Sequence, residues 1–303
     1  MKNVFIVILN WNRADDTIEC LKSVSKLSIT GYKLSVVVVD NNSTDDSIKK
    51  ITNNNSDTNI IKNKENMGYS GGNNVGIRHA LKNNADYIMV LNNDTLLDTD
   101  LMNQFIKSSK KYPDAGILSP KIYFAKGFEF HKGRYKSKDL GKVIWYAGGI
   151  IDWDNVYASN FGVDEVDRGQ FESEREIDFA TGTCMFLSVR AVKQVGMFDE
   201  RYFMYLEDAD LSQRVKRAGW KVLYTPRAKL WHKIAQSSAV GSELNDYFIT
   251  RNRLLFGMTY APLRAKAAII RESVKFIFEG REWYRKGAID FYLRRFGKGS
   301  WQN

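Results

Sequence analysis

The stretch YIMVLNNDT (87–95) decides how this chain reads, because a run of apolar and aromatic residues ends abruptly in Asn92, Asn93 and Asp94. That pattern predicts a buried strand delivering short polar side chains to the carboxyl edge of a sheet, where open α/β folds place their ligands. A carboxylate at such an edge suits a divalent cation, and a bound cation suits a diphosphate.

Upstream, the runs VFIVIL (4–9), LSVVVVD (34–40) and NIIKN (59–63) read as strands. The segments 15–26, 45–52, 73–82 and 98–111 have helical spacing. The alternation predicts βαβ units and a mainly parallel sheet. Three strand ends are polar beyond the needs of a core. They are Asn10-Trp11-Asn12, the run from Asp40 through Asn41 and Asn42 to Asp45, and the run from Asn66 through Gly68 to Asn74. Trp11 offers a face for a nucleobase, and Asp40 can accept hydrogen bonds from base or ribose. The Asp40–Asp45 run equally fits a turn with a helix N-cap. The glycines from Gly68 to Gly76 miss the GxGxxG spacing, so by themselves they read as a simple loop leading into a helix, although glycine-rich backbone also suits phosphate or sugar.

Downstream the alternation loosens. LSPKIY (118–123) and VIWYAGGIID (143–152) read as strands, and 124–142 and 152–176 as long loops or a small subdomain over the sheet edge, the kind of segment that sets acceptor specificity. Order returns over 179–232 with an apolar strand at 184–189, a short helix and an aromatic loop at 198–206. Glu207-Asp208-Ala209-Asp210 then open a helix that runs to Arg217. Acids in a first turn are favoured by the helix dipole, which alone accounts for them.

The 303 residues, 44% hydrophobic, can bury a sizeable core. Cys20 and Cys184 lack metal-ligand spacing and are expected to be free thiols, as in a reducing, cytoplasmic setting. The N-terminus reads as a first strand, not a leader, and no apolar run approaches the roughly 18 residues of a membrane span. The net charge of +10 is uneven, since the region from Tyr247 onward holds twelve Lys or Arg against four acids. Within it Leu263, Ala267, Ile270, Val274 and Ile277 recur at helical spacing beside Arg264, Arg271 and Lys275, an amphipathic basic face suited to an anionic membrane, to the catalytic domain or to a second subunit. No zinc-finger or RNA-binding signature accompanies the basic tail, so nucleic acid is not expected.

Taken in order, VILNWNR, VVVVDNNSTDDS, NMGYSGGNNVGI, VLNNDT, FATGTCMFL, GMFDERYFMYLEDADLSQRVKRAG and LWH resemble family 2 glycosyltransferases of the GT-A fold, especially the rhamnosyltransferase-like branch, over roughly residues 3–256. The resemblance implies inverting transfer of a sugar from a nucleoside-diphosphate donor, such as a dTDP-deoxysugar or a UDP-sugar, to a saccharide or lipid-linked acceptor in cell-surface glycan synthesis. It implies a nucleotide site of Asn10, Trp11, Asp40, Asn42, Gly68, Asn73, Asn92 and Asn93. Asp208 would be the general base with Glu207 beside it, and Asp94 with His232 would be ligands of Mg²⁺ or Mn²⁺. Asn92 stands where the acidic motif has its first Asp, which leaves Asp94 the only acid there. The expected architecture is a Rossmann-like, mainly parallel sheet flanked by helices. Its catalytic domain is expected at 1–246, with a nucleotide-binding half at 1–111 and an acceptor half at 112–246, followed by a basic helical extension at 247–303. A sugar nucleotidyltransferase and a non-catalytic sugar-nucleotide-binding protein are the rival readings. The first lacks an early glycine-rich, basic triphosphate loop, and intact Asp94, Glu207 and Asp208 speak against the second.

Overall fold

The computed structural model describes residues 1–54, 58–234 and 242–301. The first half runs β1 (Lys2–Asn10), α1 (Ala14–Val24), β2 (Tyr32–Asp40), α2 (Ser47–Asn54), β3 (Asn59–Lys62), α3 (Gly68–Lys82), β4 (Tyr87–Asn92), β5 (Thr95–Leu97) and α4 (Leu101–Lys111). Then follow β6 (Ala115–Phe124), β7 (Ile144–Tyr146), β8 (Gly149–Asp152), β9 (Tyr157–Asn160), β10 (Arg175–Glu176), β11 (Cys184–Ser188), α5 (Val189–Val195), α6 (Glu207–Arg217) and β12 (Lys221–His232). Helices α7 (Glu243–Tyr260), α8 (Leu263–Glu279) and α9 (Glu282–Tyr292) close the chain.

The main sheet has the order β10-β12-β6-β11-β4-β1-β2-β3, with β5 on β12 and β7 on β6. Strands β3, β2, β1 and β4 are mutually parallel; the apolar runs of β1 and β4 and the second half of β2 are buried on both faces, as a helix-covered parallel sheet requires, while β3 is the partly exposed edge. The four strands expected in this half are present, and the register aligns their polar ends: Asn10 lies opposite Asp40, and Leu9 opposite Asn92. Antiparallel β11 inserts between β4 and β6, which brings Thr183, just before β11, to the end of β4. Strand β12 runs parallel to β6, and its pairing with β5 sets His232 opposite Thr95, the residue after Asp94.

Two segments depart from expectation. The glycine-rich stretch is not a loop, because α3 begins at Gly68. Two of its glycines face the sheet: a Cβ on Gly76 would lie 2.2 Å from Val7 Cγ1, and one on Gly72 would lie 2.5 Å from Leu9 Cδ1. Gly72 and Gly76, one turn apart, thus let the helix backbone lie directly on β1 and β2. The ~1 kcal/mol helix penalty of each glycine is offset by that close packing. The expected strand at 143–152 is broken at Gly148, whose φ of +119° interrupts the extended run, so that β7 joins the main sheet while β8 pairs with β9.

The expected domain boundary after Asp246 falls within α7. The buried face of α8 is Ala265, Ile269 and Ser273, whereas Leu263, Ile270, Val274 and Phe278 are exposed. No helix among the described residues is long and apolar enough to cross a membrane. Both cysteines are free and buried, and burial pushes the Cys20 thiol up to about 12.

Candidate active site

At the carboxyl edge of β1, β2 and β4 lies a cavity of about 230 Å³. Trp11, Asn41, Asn66, Asn92, Asn93 and Asp94 line it toward the sheet, and Phe203, Met204, Leu244 and Trp301 form an apolar wall. Trp11 is 41% exposed, its ring available to a ligand.

Beneath it Asn10 and Asp40 are both fully buried. Asn10 Nδ2 donates to Asp40 Oδ1 (2.9 Å), the Ser43 hydroxyl donates to the same oxygen (2.6 Å), and the Ser43 amide donates to Oδ2 (3.0 Å). Asp40 thus fastens the β1 and β2 ends together and does not line the cavity. The next side chain along, Asn41, does. Its amide donates to Asn66 Oδ1 (2.9 Å) and to the Gly68 carbonyl (3.0 Å). Successive strand residues face opposite ways, so the alternation after buried Val39 is the signal that distinguishes the two. Asn42 adopts a left-handed turn with φ +62°, a conformation Asn tolerates. Asn73 is buried in α3 with its amide on the Tyr69 carbonyl, away from the cavity. Gly68 borders the cavity at φ +68°, and a Cβ there would strike Phe203 at 2.5 Å.

The residues after β4 behave differently. Asn93 donates to the Thr17 hydroxyl (3.0 Å), while Asp94 Oδ1 stands 3.1 Å from His232 Nε2. The imidazole is held edge-on to Trp145, with ring centroids 4.7 Å apart, and its Nδ1 is buried with no hydrogen-bond partner. One carboxylate and one imidazole in contact fit part of the shell of a divalent cation. No group of three or more His, Cys, Asp or Glu suited to a metal is present among the described residues, so phosphate oxygens or water would complete the shell.

The turn 181–183 joins this edge to the acidic pair at the start of α6. The Thr183 carbonyl accepts from the Asn92 amide (3.0 Å), and the Gly182 amide donates to Asp208 Oδ2 (2.8 Å). Tyr69 donates its hydroxyl to the Gly182 carbonyl, and a Cβ at 182 would lie 2.8 Å from that hydroxyl and displace the ring. The Ala209 amide donates to Asp208 Oδ1 (2.8 Å). Burial raises the Asp208 pKa above its ordinary value, and the two amides act against that rise. Glu207 is raised well above its ordinary value, first by burial and then by the Asp208 charge; its Oε2 is buried without a hydrogen-bond partner. Of the two carboxyls, Asp208 is the one whose charge is braced by amides, and Glu207 is the one burial pushes furthest toward its protonated form. Asp210 is structural, accepting from Arg214 Nε (2.8 Å) and the Tyr260 hydroxyl (2.8 Å).

The loop before this pair has three non-glycine residues in the left-handed region: Phe203, Tyr205 and Leu206, with φ of 63°, 67° and 68°. Each such residue costs about 1–3 kcal/mol and persists only where its surroundings enforce it. Two fully buried side chains of α7 do so. Asn252 Nδ2 donates to the carbonyls of Tyr202, Met204 and Tyr205 (2.9, 2.7 and 2.9 Å), and Arg251 Nη2 to those of Arg201 and Tyr202 (3.1 and 3.0 Å). Nothing local in the sequence signals this clamp, nor the presence of Leu244 and Trp301 in the cavity wall, because the partners lie far apart in the chain.

A sequence model described as Glycosyl transferase family 2 matches residues 5–196. The chain is 27% identical over 217 residues, 69% of each chain, to an N-acetylglucosaminyl-diphospho-decaprenol L-rhamnosyltransferase of Mycobacterium tuberculosis. It is 26% identical over 220 residues, 72% of this chain and 62% of the relative, to a low-salt glycan biosynthesis hexosyltransferase of Haloferax volcanii. Among solved structures, a mannosyltransferase from Pyrobaculum calidifontis in complex with GDP-Man and Mn²⁺ superposes with a TM-score of 0.57 at 14% identity, covering 96% of this chain and 74% of that one. That likeness shows the fold, the GT-A arrangement of a sheet flanked by helices.

The raised pKa of Glu207 has a consequence for stability. The folded chain keeps a proton that the unfolded chain releases above about 4.5, so stability falls as the pH rises from there toward the raised value. Glu207→Gln removes this dependence. Measured by denaturant unfolding, its stability relative to the parent is expected to rise as the pH increases above about 4.5, by at most ~1.4 kcal/mol per pH unit. A difference that stays constant across this range would contradict the assignment.

Proposed function

The chain belongs to glycosyl transferase family 2, and from that premise we propose that it transfers a sugar from a nucleoside-diphosphate donor to an acceptor hydroxyl with inversion, Asp208 being the general base. The observation that supports this most is the geometry of the acidic pair: Asp208 braced by the Gly182 and Ala209 amides beside buried Glu207, tied through the turn 181–183 to the strand end that carries Asn92 and Asp94. A sugar hydroxyl is a weak nucleophile, so a carboxylate must take its proton as the oxygen attacks the anomeric carbon. The bond to the diphosphate breaks as the new bond forms on the opposite face. Trp11 stacks on the nucleobase, Asn41, Asn66 and Asn92 bind along the nucleotide, and Asn10 and Asp40 hold that edge in shape.

Asp94 and His232 would hold a Mg²⁺ or Mn²⁺ ion, which when bound supplies electrostatic stabilisation of the leaving diphosphate. The mannosyltransferase complex, which contains Mn²⁺, is consistent with this reading. The apolar wall of Phe203, Met204, Leu244 and Trp301 suits a 6-deoxyhexose, whose methyl group loses no hydrogen bond to water there. A dTDP-deoxysugar is therefore the favoured donor and a UDP-sugar the alternative. The rhamnosyltransferase relative points to a lipid-linked saccharide as acceptor, within cell-surface glycan synthesis.

Such an acceptor would lie at a membrane, and α8 offers a surface for one. Leu263 is 85% and Phe278 82% exposed, and with Ile270 and Val274 they project beside Arg264, Arg271 and Lys275. Apolar side chains flanked by cations match the cytoplasmic face of an anionic bilayer. Vesicles containing anionic lipid are expected to carry the protein upward in flotation, and neutral vesicles are not. Equal flotation with both, or with neither, would remove the membrane reading.

A thermal-shift screen of UDP, dTDP and GDP sugars with Mg²⁺ or Mn²⁺ identifies the donor, since binding to the folded state raises Tm. With that donor, Asp208→Asn is expected to retain binding and to lose turnover by about 10²–10⁴-fold. Near-parental turnover would rule Asp208 out as the base.

A further inference from the structure

We infer that Trp301 is the stacking platform for the donor's sugar ring, so that the C-terminal segment completes the active site. The inference rests on the reading that the cavity takes a nucleoside-diphosphate sugar.

Trp301 lines the same cavity as Trp11 and Asp94, although it lies 290 residues along the chain from Trp11. The two indoles stand in different parts of the wall. Trp11 follows β1, beside the polar edge that carries Asn41. Trp301 belongs with Phe203 and Met204, whose loop runs directly into Glu207 and Asp208, where the anomeric carbon must lie. Phe203 stacks on Phe248 with ring centroids 5.2 Å apart, and Phe248 in turn meets Trp301 at 6.1 Å. Trp301 therefore stands on the reaction side.

The segment that carries this indole is anchored by buried polar groups. Arg251 Nη1 donates to the Gly297 carbonyl (2.7 Å), and the Ser300 amide and hydroxyl donate to the two carboxylate oxygens of Asp290 (2.8 and 2.9 Å). The Tyr247 hydroxyl accepts from the Ser300 amide (2.9 Å) and donates to Asp290. Arg251 and Asp290 are themselves buried. The indole is steadied by Trp283 (4.6 Å between centroids) and Tyr247 (6.0 Å), and it remains half-buried at the cavity. The same Arg251 fixes the loop that leads to the base, so one side chain sets both the platform and the acidic pair.

A sugar ring presents C–H groups on one face, and these carry slight positive charge that an aromatic face attracts. A rigid indole next to the reacting carbon binds the ring by that face and leaves the hydroxyls to polar partners. A mere structural plug needs none of this chemistry, and a nucleobase platform would act on the nucleotide instead.

Calorimetry in Mn²⁺ with dTDP and with dTDP-L-rhamnose separates the possibilities. Trp301→Ala is expected to weaken dTDP-L-rhamnose about tenfold and to leave dTDP within about twofold, and Trp301→Phe is expected to recover most of the loss. Equal weakening of both ligands, or no change in either, would overturn the inference while leaving the donor reading intact. A parent protein that binds neither ligand would refute the dTDP-sugar reading and the inference with it.

Discussion

The hydrogen bond from the Gly182 amide to Asp208, with the neighbouring Thr183 carbonyl accepting from Asn92, is the link on which the rest of the site depends. It makes one rigid turn serve two elements: the strand end that carries Asn92 and Asp94, and the helix that opens with Glu207 and Asp208. The constraint reaches into composition, because a side chain at 182 would collide with the Tyr69 hydroxyl. It also sets the electrostatics. Two carboxyls side by side in a buried place cannot both ionise cheaply, and the amides decide which one keeps the charge.

Around that turn the chain accepts local strain. Three left-handed residues, Phe203, Tyr205 and Leu206, lead into α6, and Asn252 satisfies three carbonyls of the loop from a single side chain. Since α7 supplies Asn252, Arg251 and the wall residue Leu244, the C-terminal helices are a support for the site as well as an appendage with a basic surface. The exposed strip of α8 points away from this work, with its own buried face turned to the neighbouring helices.

The parallel half of the fold was legible because strands buried on both faces read as unbroken apolar runs, and the polar residue that ends each run marks the carboxyl edge. The glycine-rich stretch misled, since glycine serves equally for a loop and for a helix pressed onto a sheet; only the positions of Val7 and Leu9 beneath Gly76 and Gly72 separate the two. Asp94, His232, Glu207 and Asp208 were legible as an ordered set of motifs, but their meeting required the register of β12 on β5 and the turn at 182. Asp40 illustrates the opposite case: its chemistry suited a ligand, yet its hydrogen bonds go to Asn10 and Ser43, while Asn41 faces the cavity. The Arg251 clamp and Trp301 were invisible, because contacts across some 50 to 290 residues leave no local pattern.

The central claim is a single displacement at the anomeric carbon with Asp208 receiving the proton. The most direct measurement is the anomeric configuration of the product, read by NMR against that of the donor sugar. Inversion is the predicted result, and retention of the donor's configuration would contradict it.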